Sequence, residues 1–199
     1  FTDAVSAFDT KYMLCLSATP FRRDGLTRLI YWYIGDVAHQ VPKDELIQNG
    51  DILDAKIIIR ETDFQTSFDP SEEYQKTLTE LTENAERNHL ICSDVAQELK
   101  NGGGTCLVLS DRKAHCATLQ EILKNFGIDA ELLTGDLTTK RRKEIVDRIQ
   151  KGEVKAICAT GALIGEGFDC RNLENLFIST PVKFSGRVIQ YVGRILRPE

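Results

Sequence analysis

From about residue 105 onward, apolar positions arrive in short runs separated by longer amphipathic stretches. "TCLVLS" (105–110), "DAELLT" (129–134), "KAICAT" (155–160) and "NLFIST" (175–180) are too short for helices. Their β-branched, leucine and cysteine content reads as strands, mostly buried. Between them, 112–126 and 139–151 carry helical spacing and stop at Gly127 and Gly152, and 185–197 reads as a last helix. Strands alternating with helices predict right-handed βαβ units and a parallel α/β sheet flanked by helices.

The first hundred residues are less regular. The stretch 12–16 within "KYMLCLSATP" and the β-branched "DAKIIIRET" (54–62) read as strands. "GLTRLIYWYIG" reads as a short apolar helix and "KDELIQNG" as a helical turn ended by Gly50. Asp69-Pro70-Ser71 opens a predicted helix to about Thr82, and a second helix over 85–100 ends at "NGGG". A seam is expected near 35–55. There is no internal repeat.

Composition narrows the class without choosing a function. The chain has 199 residues, 42% hydrophobic and 28% charged, enough for a sizeable core. No apolar run approaches the ~20 residues that span a bilayer, and no leader is evident, so a cytoplasmic protein without a membrane partner is expected. The start at Phe1 leads to the expectation of a piece of a longer protein. Cys15, Cys92, Cys106, Cys116, Cys158 and Cys170 show no C-x-x-C pairing, and most lie in apolar runs. Free thiols in a reducing compartment are expected, with neither disulfides nor a metal site. The net charge of −5 argues mildly against a polyanion partner, although a local basic strip overrides net charge.

Ligands of open parallel sheets gather at the carboxyl ends of the strands. The residues there are Ser110-Asp111, Thr134-Gly135-Asp136, Thr160-Gly161 and Thr180-Pro181. Each alone reads as a helix cap; together on one edge they read as a track for a phosphate backbone. On the last helix, Arg187, Gln190, Gly193, Arg194 and Arg197 share one side, opposite an apolar face. Gly193 costs ~1 kcal/mol relative to alanine there, which suits close approach by another surface. The loop "ATGALIGEGFDC" (159–170) offers Asp169 to ribose hydroxyls, or is a plain connection. The basic "KRRK" (140–143) opposes the dipole of the helix it opens, which hints at an anion nearby. The sequence holds no G-x-x-x-x-G-K-[ST] and no strand ending in D-E-x-H or D-E-x-D.

These residues resemble the superfamily 2 helicases, in particular their XPB-like and type III restriction-enzyme (DEAH-like) group. "SATP" (17–20) looks like motif III, with Met13 and Cys15 departing from the usual arginine and glycine upstream of it. "TCLVLSDRKAHC" and "ELLTGD" are similar to motif IV and the motif after it. "ATGALIGEGFDC" looks like motif V and "QYVGRILRP" like motif VI. The resemblance runs over nearly the whole chain. It implies a remnant of a first RecA-like domain over 1–35, a linker over 36–55, and a second RecA-like domain over 56–199. It further implies ATP and Mg2+, held mainly by the missing part of the first domain, which is the expected partner beside nucleic acid, DNA before RNA. Arg194 and Arg197 would be arginine fingers supported by Gln190; Glu166, Gly167 and Asp169 would meet the nucleotide. Ser110, Thr134, Gly135 and Thr160 would contact the nucleic-acid backbone, while Ser17 and Thr19 couple the two sites. The alternative is a RecA-like module that binds nucleic acid or a partner without turnover. A dinucleotide-dependent enzyme lacks its G-x-G-x-x-G here.

Overall fold

In the computed structural model the described residues are 2–17, 19–22, 24–161, 173–182, 188 and 191–193. Helices α1 (Thr2–Ser6), α2 (Thr27–Ile34), α3 (Lys43–Gln48), α4 (Tyr74–Glu83) and α5 (Ala85–Lys100) precede β1 (Thr105–Ser110). Then follow α6 (Lys113–Asn125), β2 (Ala130–Leu133), α7 (Thr139–Gln150), β3 (Ala156–Thr160) and β4 (Leu173–Ile178). The strands form one parallel sheet in the order β2-β3-β1-β4. Ser110 pairs in register with Thr160 at the end of the central pair.

Side chains alternate across a strand, so each strand feeds two cores. On one face Cys106, Val108, Ala156 and Cys158 meet Cys92 and Val95 of α5 and Cys116, Leu119 and Leu123 of α6. On the other, Leu107, Leu109, Ile157 and Ala159 meet Ile145 and Ile149 of α7 together with Tyr191. Double coverage explains why β1 and β3 are buried throughout. Each fully buried leucine or isoleucine contributes roughly 1.5–3 kcal/mol. Gly127 and Gly152 close α6 and α7 at φ 77° and 73°, in the left-handed region that other residues enter only with strain.

Three expectations are corrected. Residues 12–16 are not a strand: Tyr12, Leu14 and Leu16 are exposed, and no described strand lies beside them. The same holds for 54–62, where Ile57, Ile58 and Ile59 face solvent. A strand needs a neighbour for its backbone groups, and propensity without one does not make a ladder. The exposed stretch is tied to the sheet domain through Arg60, whose guanidinium grips Asp94 of α5. Finally, α4 starts at Tyr74 rather than Ser71. The Asp69 carboxylate accepts from both the backbone N–H and the hydroxyl of Ser71, a local turn that competes with the helix.

Candidate functional site

The sheet order lines up Thr134, Thr160, Ser110 and Thr180 along its carboxyl edge; Ser110 and Thr160 end β1 and β3, while Thr134 and Thr180 follow β2 and β4. All four are buried, Ser110 to 1% exposure. After β2, the carbonyl of Thr134 accepts from Leu137 N at 3.2 Å, closing a turn. Thr138, not Thr134, caps α7 by accepting from Arg141 N. At Gly135 an added Cβ would meet nothing within 4 Å, so this backbone stays open to an approaching ligand. Lys113, opening α6, reaches across to Asp136 at 2.5 Å and ties the turn after β2 to the one after β1.

Thr160 ends β3, and Gly161 follows it. A Cβ on Gly161 would collide with the Tyr191 hydroxyl and stand 3.4 Å from Asp111 Oδ1. Glycine is thus required where the end of β3, the turn after β1 and the helical segment 191–193 converge. Gly193 is exposed, and a Cβ there would meet nothing within 4 Å among the described residues.

Around the end of β1 lies a hydrogen-bonded cluster. The Ser110 hydroxyl accepts from Arg112 N at 3.0 Å and lies 2.9 Å from His115 Nδ1. His115 Nε2 is 2.8 Å from Asn88 Oδ1, and Asn88 Nδ2 donates to the Thr82 carbonyl. Thr180 Oγ1 accepts from Asp111 N, and Ser179 Oγ donates to the Leu109 carbonyl. The Arg87 guanidinium donates to the Ser179 carbonyl; its second terminal nitrogen is buried without a hydrogen-bond partner among the described residues. Burial lowers the pKa of Arg87, and burial together with the Arg87 charge holds His115 down at about 4, so the imidazole is neutral.

Helix α4 reaches this edge at both ends. At its start the Tyr74 hydroxyl donates to the Pro181 carbonyl, and Arg112 donates to Gln75 Oε1 at 2.5 Å; at its end stands Thr82. Tyr74, Gln75, Arg87, Asn88 and His115 were not singled out from the sequence. His115 alone left a signal: a titratable side chain one position before Cys116 on the buried face of an amphipathic helix.

The structure therefore gathers Ser110, Thr134, Gly135 and Thr160 on one edge. Ser17 accepts from Thr19 N at 3.0 Å, a local turn, and no described hydrogen bond brings that pair to the edge. Gln190, Arg194, Arg197, Glu166, Gly167 and Asp169 lie outside the described residues. Among the described residues no cluster of histidine, cysteine and acidic groups could hold a metal ion.

Residues 87–199 match the family described as the helicase conserved C-terminal domain. The chain is 26% identical over 196 residues to putative helicase 22 of Sulfolobus islandicus filamentous virus, covering 92% of this chain and 35% of that protein. It is 28% identical over 214 residues to putative ATP-dependent RNA helicase L396 of Acanthamoeba polyphaga mimivirus, covering 100% of this chain and 38% of that protein. The chain thus spans little more than a third of these relatives. Among solved structures, T4 UvsW shares the fold with a TM-score of 0.52 and 20% identity, over 62% of this chain and 25% of that one. The E. coli DEAD-box protein SrmB, solved bound to RraA, gives a TM-score of 0.51 and 20% identity, over 56% of this chain and 65% of that one.

Proposed function

The chain belongs to the helicase conserved C-terminal domain family, as a RecA-like domain of the superfamily 2 helicases, and from that premise we propose that it works as one half of an ATP-driven nucleic-acid motor. The observation that supports this most is the row of strand ends, Thr134, Thr160, Ser110 and Thr180, on one edge within the matched span. In this reading a first RecA-like domain grips ATP and Mg2+, and this chain closes on them. Arg194 and Arg197, with Gln190, face the γ-phosphate, where added positive charge stabilises the transition state by ~10³–10⁵ in rate. Glu166, Gly167 and Asp169 meet the nucleotide.

Ser17 and Thr19 couple that cleft to strand binding. The edge holds a nucleic-acid backbone through Thr160, Gly135, Thr134 and the turn after Ser110. Contacts of this kind carry no sequence code, which suits a motor that moves along any strand. We take the strand to be DNA and the subgroup to be the XPB-like and type III restriction-enzyme one. The parent protein hydrolyses ATP by attack of water on the γ-phosphorus, breaking the bond to ADP; this chain alone supplies no P-loop and should not turn over.

Thr160→Ala tests the strand edge in a protein that joins this chain to its first RecA-like domain. Nucleic-acid-stimulated ATPase activity should fall several-fold with basal turnover retained. Unchanged stimulation would remove Thr160 from the track. Competition between single-stranded DNA and RNA oligonucleotides of equal length decides the strand: preferential displacement by RNA would overturn the DNA assignment.

A further inference from the structure

We propose that Asn88, His115 and Ser110 form a relay that positions the turn after β1, and that this turn presents Arg112, rather than the Ser110 hydroxyl, to a nucleic-acid backbone. The ligand rests on the function proposed above; the relay rests on the hydrogen-bond geometry, with burial keeping the imidazole neutral.

The protons can be followed one by one. Asn88 Nδ2 donates to the Thr82 carbonyl at 2.8 Å, which fixes the amide so that its oxygen faces His115 Nε2. An amide oxygen only accepts, so Nε2 carries the proton. The imidazole is neutral, so Nδ1 is a bare acceptor, and its 2.9 Å contact with Ser110 is Oγ–H donating to Nδ1. Ser110 has one hydroxyl proton, and it is spent inward. Its oxygen meanwhile accepts from Arg112 N. Phosphate oxygens only accept, so Ser110 has nothing to donate to them while the relay stands.

Asn88, His115 and Ser110 are each at most 2% exposed. A buried polar chain with every member satisfied is rigid, because breaking any link strands a partner away from water. This chain fastens the end of α4, the first turns of α5 and α6 and the end of β1 to one another. Its outward product is a fixed backbone at Arg112. Arg112 is half-buried, and its guanidinium donates to Gln75, a neutral partner, rather than to a carboxylate that would compete with a phosphate. Neither Gln75 nor Tyr74 lies within the family match, which begins at residue 87, yet α4 completes this end of the site.

Long-range 1H–15N correlation spectra of the labelled chain read the tautomer directly, with His115 assigned by loss of its signals in His115→Gln. The expected result is a protonated Nε2 and an unprotonated, hydrogen-bonded Nδ1, unchanged by saturating oligothymidylate. A protonated Nδ1 in the free chain would overturn the relay. So would loss of the Nδ1 hydrogen-bond signature when the oligonucleotide binds, since Ser110 would then have turned outward.

Salt titration of oligothymidylate binding separates the roles. Arg112→Ala should weaken binding about tenfold and lower the slope of log affinity against log salt by about one. Ser110→Ala should weaken binding at an unchanged slope. An unaltered slope in Arg112→Ala would remove Arg112 as the phosphate contact. If the wild-type chain binds no oligonucleotide, the nucleic-acid reading of this edge fails, and the tautomer of the free chain still decides the relay.

Discussion

His115 makes the fold sensitive to mild acid. Its usual pKa near 6.5 drops to about 4 in the folded state, through burial first and the Arg87 charge second. Between those values the unfolded chain takes up a proton that the folded chain refuses. Stability is therefore fully present above pH 6.5, falls as pH drops toward 4, and loses no more from this group below that. At pH 5 the loss is on the order of 2 kcal/mol. Urea melts at pH 7 and pH 5 should show it, and His115→Gln should flatten the difference; a variant as acid-sensitive as the wild type would assign the loss to other groups. The thiols give a second reading at this scale. Burial pushes Cys92 and Cys106 up to about 12 and Cys116 to about 11, and raises Cys158 as well. Thiolates are the reactive form, so among the described cysteines only the exposed Cys15 should react with an aromatic disulfide reagent in the native protein. Rapid modification of the other four before unfolding would contradict the packing of α5 and α6 on their face of the sheet. At Gly161 an alanine must displace the Tyr191 ring or the end of β3, and should cost about 1–3 kcal/mol in a urea melt.

Elements differ in how much of their cause is local. The strands and helices from 105 to 160 were legible because each carries its own stop signals, and because a parallel sheet covered on both faces makes its strands apolar throughout. Leu173–Ile178 was placed two residues late, since Leu173 is separated from the obvious apolar run by Glu174 and Asn175. The strands expected at 12–16 and 54–62 had the right residues and no partner, a condition the local pattern does not encode. The track of strand ends was legible in outline, from topology alone. The relay was not, because it depends on α5 and α6 packing side by side on one face of the sheet, so that residues 27 apart in sequence bond at 2.8 Å. The exposed isoleucines make a prediction here. Ile57 and Ile59 are 82% and 85% exposed, so replacing both by lysine should change stability by no more than about 0.5 kcal/mol while reducing concentration-dependent self-association in sedimentation. A marked drop in melting temperature would mean these side chains are buried in the working protein.

At the scale of the molecule, one sheet edge collects polar groups from four strands, two helix starts and the ends of α4, while the apolar mass stays behind it on two faces. Tyr191 brings the last described helical segment against the end of β3, beside this edge. A surface built this way is suited to closing on something held elsewhere, and catalysis would then depend on closure. The most direct test is ATP turnover by this chain joined to its first RecA-like domain, with ATP affinity measured in parallel, in wild type, Arg194→Ala and Arg197→Ala. The account predicts that each substitution lowers turnover by ~10³–10⁵ while ATP affinity changes little. Turnover at the wild-type rate, or a loss of turnover matched by an equal loss of ATP binding, would contradict it.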